Sequence, residues 1–462
     1  MFMSIMDSQI VNVALPRLAH DFSVSIPSVQ WVVTAYLMSI AVFVPASGWL
    51  GDRFGSKRVF LTAVGAFTLA SVLCASSTSL GELVAMRVLQ GAGGGMMIPV
   101  GMSMLYRAYP PEARVNVARL ITRVTVIAPT TAPIIGGSLV TWASWRWIFT
   151  INIPFGAAVF VFGLLFLAEH REPREGGFDL GGAITGGLGL GLLLFSVGSG
   201  PTLGWASWPV VSSGLVAVAL LVTFVRMELR LPHPLLNLRL LGERMFRRSC
   251  SIIVFQVVTF FGTLVFTALY LQEGRGLSPI NSGLSTFPEA VAIGITSQVV
   301  ARLFPKIGPR RLVVTGFLVL AGTTMVLATA GTSTSLWEVR GLVFVLGMGA
   351  ACVMLPNQAS AFTRISSAET GHASAIYNTI LRSAGSMGIA FLSVVLALAG
   401  GNVVHSRPPM SAFHWVFLAN VSLALLGALN ALWINDADAA PAMGRPDAAP
   451  VDAVLVPSAD TG

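Results

Sequence analysis

Gly48-Trp49-Leu50-Gly51-Asp52-Arg53-Phe54-Gly55-Ser56-Lys57-Arg58 is the stretch on which the reading of this chain turns. It joins two apolar runs, 30–50 and 59–78, each about the 20 residues a helix needs to cross a hydrocarbon layer. Glycines at Gly48 and Gly55 permit a tight turn and close helix contact. Asp52 is placed to meet the N-terminus of a neighbouring helix, where the macrodipole favours negative charge. Arg53, Lys57 and Arg58 are the basic residues that mark one face of a membrane. A degenerate echo, Arg302-Leu303-Phe304-Pro305-Lys306-Ile307-Gly308-Pro309-Arg310-Arg311, follows a later apolar run and fits a fold of two related halves.

The rest of the chain repeats this alternation. It has 462 residues, 54% hydrophobic and only 10% charged. Soluble domains carry about 25% charged residues, and no soluble core of this size buries so much apolar surface. Fourteen runs read as spans: 1–20, 30–50, 59–78, 81–106, 117–140, 147–168, 180–200, 208–227, 249–271, 281–301, 311–331, 338–362, 372–400 and 413–434. The tail from Asn435, rich in Ala, Pro and Asp, reads as disordered. With the N-terminus placed in the cytoplasm, 19 of the 28 Lys and Arg fall in inner loops and the tail, and three (Arg146, Arg275, Arg407) in outer loops. That bias predicts both termini inside. It also accounts for the net charge of +8 without nucleic acid. Arg outnumbers Lys 26 to 2, a composition typical of GC-rich bacterial genomes, so a bacterial inner membrane is expected.

Cys74, Cys250 and Cys352 lie in apolar runs and form neither a disulfide framework nor a metal cluster. The first run carries Asp7 and Asn12 without a basic leader, unlike a cleavable signal peptide. Only six residues precede Asp7. They cover about 9 Å against a half-thickness of roughly 15 Å, so an upstream start, or a first helix that begins inside the bilayer, is expected.

The loop at 48–58 resembles the signature of the major facilitator superfamily, G-x-x-x-D-R-x-G-R/K-R/K. Arg87-Val88-Leu89-Gln90-Gly91-Ala92-Gly93 is similar to the family's R-x-x-Q-G-x-G. Ala128-Pro129-Thr130-Thr131-Ala132-Pro133-Ile134-Ile135-Gly136-Gly137 resembles its exporter motif, with Ala128 and Ala132 in place of glycines. Three further segments resemble the fourteen-span drug:proton antiporter branch. They are Ser144–Gly156, Asp7–Pro16, and Asn378-Thr379-Ile380-Leu381-Arg382-Ser383-Ala384-Gly385-Ser386-Met387-Gly388. The resemblance covers residues 1 to 434 and implies an all-α fold of two six-helix bundles around a central cavity, with two extra spans between them. The domains are then 1–168, a linker with two spans at 169–227, 228–434, and the tail 435–462. The implied function is proton-coupled export of small lipophilic or cationic drugs by alternating access, with no cofactor.

Few interior residues can do such chemistry. Asp7 and Glu289 are the acids deep in spans, and proton antiport needs a carboxyl whose proton affinity responds to desolvation and to a neighbouring Arg. Asp7 is the expected proton carrier and Arg87 its partner; their depths along their helices differ by roughly 6 Å, which an Arg side chain spans. Glu289 is a second acidic site, expected to pair with Arg123 or to anchor a cationic substrate, and Arg382 is expected to face a helix or the cavity. Trp31, Tyr36, Phe255, Phe260, Tyr270 and Tyr377 are candidates for a greasy lining. No G-x-x-x-x-G-K-[ST] supports an ATP-driven pump, and no H-E-x-x-H supports a membrane metalloenzyme. A dedicated exporter of an endogenous antibiotic, peptide or siderophore, and a non-transporting membrane sensor, are the competing readings.

Overall fold

The computed structural model describes residues 2–24, 26–109, 113–171, 179–231, 234–366, 368–400 and 409–443. The described residues form helices and no strands. The first group is α1 (Phe2–Asp21), α2 (Ile26–Val29), α3 (Trp31–Phe54), α4 (Ser56–Ser76), α5 (Leu80–Ala108), α6 (Arg114–Trp142), α7 (Trp147–Thr150) and α8 (Asn152–Phe166). A hairpin of α9 (Leu180–Leu203) and α10 (Trp208–Arg230) follows. The second group is α11 (Arg244–Leu269), α12 (Pro279–Thr286), α13 (Pro288–Ile307), α14 (Pro309–Leu327), α15 (Leu336–Ala361), α16 (Thr370–Leu398) and α17 (Met410–Ala431).

Sequence chemistry sets where these helices start. Ser79 accepts from the Glu82 amide at α5, Asp179 from Gly182 at α9, and Glu243 from Met245 and Phe246 at α11. Ser335 and Glu338 form a reciprocal capping box at α15. The quoted loop is the sharp α3–α4 turn, with Gly55 at φ 101°, and its echo is the α13–α14 turn, with Gly308 at φ 86°.

Twelve helices among the described residues are long and apolar enough to cross a membrane. The sequence predicts fourteen. The other two fall on α1 and α6, which are 20 and 29 residues long but whose described residues do not form an unbroken stretch of that length.

Apolar packing differs between the two ends of the bundle. At the face carrying Arg53, Lys57 and Arg58 (the basic face), one buried cluster joins both groups. Ile98, Met102, Tyr106, Val117 and Ile121 pack there against Phe246, Cys250, Ile253, Phe362, Ile376 and Tyr377. A second joins Val115 and Ala118 of α6 to α11, α13, α14 and α15. At the opposite face each group has its own cluster: Leu18, Leu83, Ala132 and Trp145 in one, Phe266, Leu327, Val343 and Phe413 in the other. The molecule is therefore sealed between groups at the basic face. The two helices of the hairpin pack on each other, and α9 lies against both α3 and α16.

The composition predicts a disordered tail from Asn435, but Asp436–Met443 forms a 3-10 helix. Asp436 Oδ1 accepts from the Arg310 amide at 2.9 Å, Asp438 pairs with Arg364 at 2.8 Å, and Ala439, Ala440, Ala442 and Met443 are buried. Small side chains hide this segment from a reading by hydropathy, yet they let it lie close against helix ends. Residues 444–462 lie outside the described ones.

Candidate functional site: a buried ion pair inside the first helix group

Asp7 of α1 and Arg87 of α5 are both fully buried, and Arg87 Nη1 donates to Asp7 Oδ2. Burying such a pair is costly unless the remaining donors and acceptors are satisfied, and the neighbouring spans supply partners for most of them, leaving Arg87 Nη2 and Asn152 Oδ1 without one among the described residues. Asp7 Oδ1 accepts from Gln90 Nε2 at 2.9 Å and from Asn152 Nδ2 at 2.8 Å. Gln90 Nε2 also donates to Ser71 Oγ at 2.8 Å, while Gln90 Oε1 accepts from Arg87 Nη1 at 2.7 Å. Arg87 and Gln90, three residues apart, share one face of α5. Arg87 Nε reaches the Val32 carbonyl at 3.0 Å. The Tyr36 ring lies 3.9 Å from the guanidinium carbon, in cation–π contact, and the Tyr36 hydroxyl donates to the Ser4 carbonyl at 3.0 Å. Asp7 thus sits in a buried cage built from α1, α3, α4, α5 and α8.

The expected Asp7–Arg87 pair is present. Gln90 and Asn152 stand in the motifs quoted above, but the sequence alone gives them no role; the available signal is a carboxamide inside an apolar run. Tyr36 is a lid over the pair rather than a lining residue, and Phe260, Tyr270 and Tyr377 are likewise buried in packing. Trp31 stacks on Phe195 and lines a cavity of about 590 Å³ near the opposite face, between α3, α5 and α9.

Arg123 and Glu289 are not brought together. Arg123 is exposed, and Glu289, in the first turn of α13, is buried with no hydrogen bond or ion pair among the described residues. Facing, more than depth, separates them, since one is exposed and the other enclosed. Arg119 Nη1 meets Gln298 Oε1 at 3.3 Å across α6 and α13. From that level Arg123 lies about 6 Å and Glu289 about 13 Å toward the opposite face. Arg382 lies in mid-α16 with no carboxylate partner among the described residues, its Nε enclosed and unbonded.

The quoted loop closes the basic face. Asp52 Oδ1 accepts from Arg107 Nη2 at 2.8 Å, and its carboxylate lies beside the first turn of α16, 2.9 Å from where a Cβ on Gly371 would stand. A Cβ on Gly48 would meet the Gly371 carbonyl at 2.7 Å. Glu169 Oε1 accepts from the Lys57 amide at 3.0 Å and caps α4, with Arg58 Nε 3.5 Å from Oε2. Asp436 caps α14 in the same way through Arg310, so the echo at 302–311 repeats the geometry as well as the charge. Arg53 lies at the end of α3. In α6, Gly136 meets Ile10 of α1 closely, a Cβ falling 2.6 Å from Ile10 Cγ1, whereas Gly137 has ordinary clearance. Pro129 and Pro133 lie within α6, with side chains outside the described ones.

A bundle welded at one face, separate at the other and holding an ion pair inside one group is the architecture of a membrane carrier, not of an enzyme. The chain belongs to the Major Facilitator Superfamily, whose sequence profile matches residues 1–390. It is 30% identical over 398 residues to the "Multidrug resistance protein B homolog" of Mycobacterium tuberculosis, covering 85% of this chain and 74% of that one. It is 31% identical over 446 residues to the "Putative multidrug resistance protein MdtD" of Pectobacterium carotovorum subsp. carotovorum, covering 94% and 93%. Among solved structures it superposes on the proton:xylose symporter XylE with a TM-score of 0.65, at 15% identity, covering 93% of this chain and 92% of that one.

Proposed function

We propose that this chain is a proton-coupled antiporter of the fourteen-span branch, exporting small lipophilic or cationic drugs across a bacterial inner membrane. In this reading α1 and α6 also span, giving six-helix bundles at 1–168 and 228–434 with the α9–α10 hairpin between them. The basic face is cytoplasmic, so the sealed end is the inner gate and the conformation is outward-facing. The observation that carries the reading is the Asp7–Arg87 pair in its cage of amide and hydroxyl donors. A carboxylate in a dry interior stays ionised while its cation remains, and withdrawal of that cation favours the neutral acid. Rocking of the bundles that moves α1 against α5 would then exchange a proton for a guanidinium at the same oxygen. The printed names of the relatives favour drugs as cargo.

The test is uptake of ethidium or a lipophilic neutral antibiotic into inverted vesicles under an imposed pH gradient. Wild-type protein is expected to accumulate substrate until a protonophore is added. Asp7→Asn should abolish gradient-driven accumulation while leaving downhill exchange. Accumulation by Asp7→Asn against a gradient would show that another group carries the proton, and Glu289 is then the residue to replace.

A further inference from the structure

The inner gate is stitched along one stripe of α16. Ser374 Oγ donates to the Pro99 carbonyl at 2.8 Å, and Asn378 Nδ2 to Met102 Sδ at 3.2 Å. The two residues are four apart, on one face of the helix, and both bond α5 of the other bundle. Arg382 is the next residue on that stripe, one turn outward. Residues 370–378 are all buried, whereas 379–383 are all half-buried, so the sealed zone ends between Asn378 and Arg382. Arg382 therefore stands just outward of the closed gate, on the stripe of α16 that faces the other bundle.

Among the described residues no acid is paired with it. Its nearby titratable group is Tyr36, whose hydroxyl already donates to Ser4. Asp7 is engaged by Arg87 behind the Tyr36 ring, and Glu289 makes no ion pair. An Arg in mid-span without a counter-ion is costly and marks a pathway or a missing partner. We propose that Arg382 anchors an anionic group (carboxylate, sulfonate or phosphate) carried by a lipophilic cargo molecule. The proposal rests on the transport reading, because Arg382 meets cargo only if the space between the bundles is the route. It narrows that reading away from cations. The planar guanidinium suits bidentate capture of such an oxyanion, and a lipophilic cation would meet an uncompensated positive charge. Outward movement of an anion and inward movement of a proton are both favoured by a membrane potential negative inside.

Binding to the full chain in lipid nanodiscs, with no gradient, tests this separately from proton coupling. The probes are dansylglycine, its methyl ester and dansylethylenediamine, which present one fluorophore with an anionic, a neutral and a cationic arm. Wild type should bind dansylglycine roughly 10-fold or more tightly than the ester, the factor expected for one charge-assisted hydrogen-bonded pair, and the amine most weakly. Arg382→Gln should remove that advantage and leave ester binding unchanged, which also reports that the variant is folded. Arg382→Lys should keep most of it. The proposal is overturned if wild type shows no preference for the anion, including no measurable dansylglycine binding. It is equally overturned if Arg382→Gln weakens all three probes alike, the mark of a packing role. Loss of proton-driven uptake by Asp7→Asn bears on the coupling reading alone and leaves this binding result intact.

Discussion

Separating the two members of the buried pair gives the sharpest energetic test of the site. Arg87→Met keeps an unbranched apolar stem, two atoms shorter, and removes the charge. It leaves Asp7 with two carboxamide donors, Gln90 and Asn152, and no cation in a fully buried site. Removing one partner of such a pair costs about 3–5 kcal/mol because the other charge is stranded. Asp7→Asn strands Arg87 instead, which keeps the Gln90 and Val32 acceptors and the Tyr36 face, so its cost should fall at the low end of that range. In the double variant neither charge remains, and its loss should be smaller than the sum of the singles by about 2–3 kcal/mol. Reversible unfolding of the four proteins in mixed micelles, followed by tryptophan fluorescence, measures this coupling. Additivity of the two singles to within about 0.5 kcal/mol would refute the claim that the pair acts as one unit.

Two further outcomes concern the gate and the tail. Gly48→Val should hold the inner gate apart, because a side chain there meets the Gly371 carbonyl; Cys250, buried in the gate cluster, should then react with a thiol reagent applied from the cytoplasmic side, and unchanged labelling would show that the gate tolerates the clash. Asp438→Ala should cost under about 1 kcal/mol in the same unfolding assay, since its partner Arg364 is 43% exposed and solvent screens the pair.

The fold was legible because apolar runs, basic loops and glycine turns act locally: the helices fall on the runs counted from the sequence, and Gly55 and Gly308 stand in matching turns. The Asp7–Arg87 pair was legible from depth, since each residue is costly in an apolar span and each offers what the other lacks. The Arg123–Glu289 pair expected to close one state is not formed in this one, where Arg123 lies on an exposed side of α6 and Glu289 is buried, a facing set by packing that no motif encodes. Gln90, Asn152 and Ser71 went unassigned because an amide or a hydroxyl in a span has no preferred partner until five helices converge on it. The ordered start of the tail was missed because its alanines bury well only where a helix end is already waiting.

Glu169 and Asp436 occupy the same place in the two bundles, each leaving the last helix of its bundle to seat a carboxylate on an amide just past a left-handed glycine. On the proposed two-bundle reading the two positions are equivalent ends of a repeated unit, and the α9–α10 hairpin enters the chain at the seam between two copies. A seam is where foreign chain does least harm to either neighbour. By the same logic a reporter fused beyond Met443 should leave the second unit closed, whereas one fused at Asn435 would unseat Asp436 and open the end of α14 to solvent.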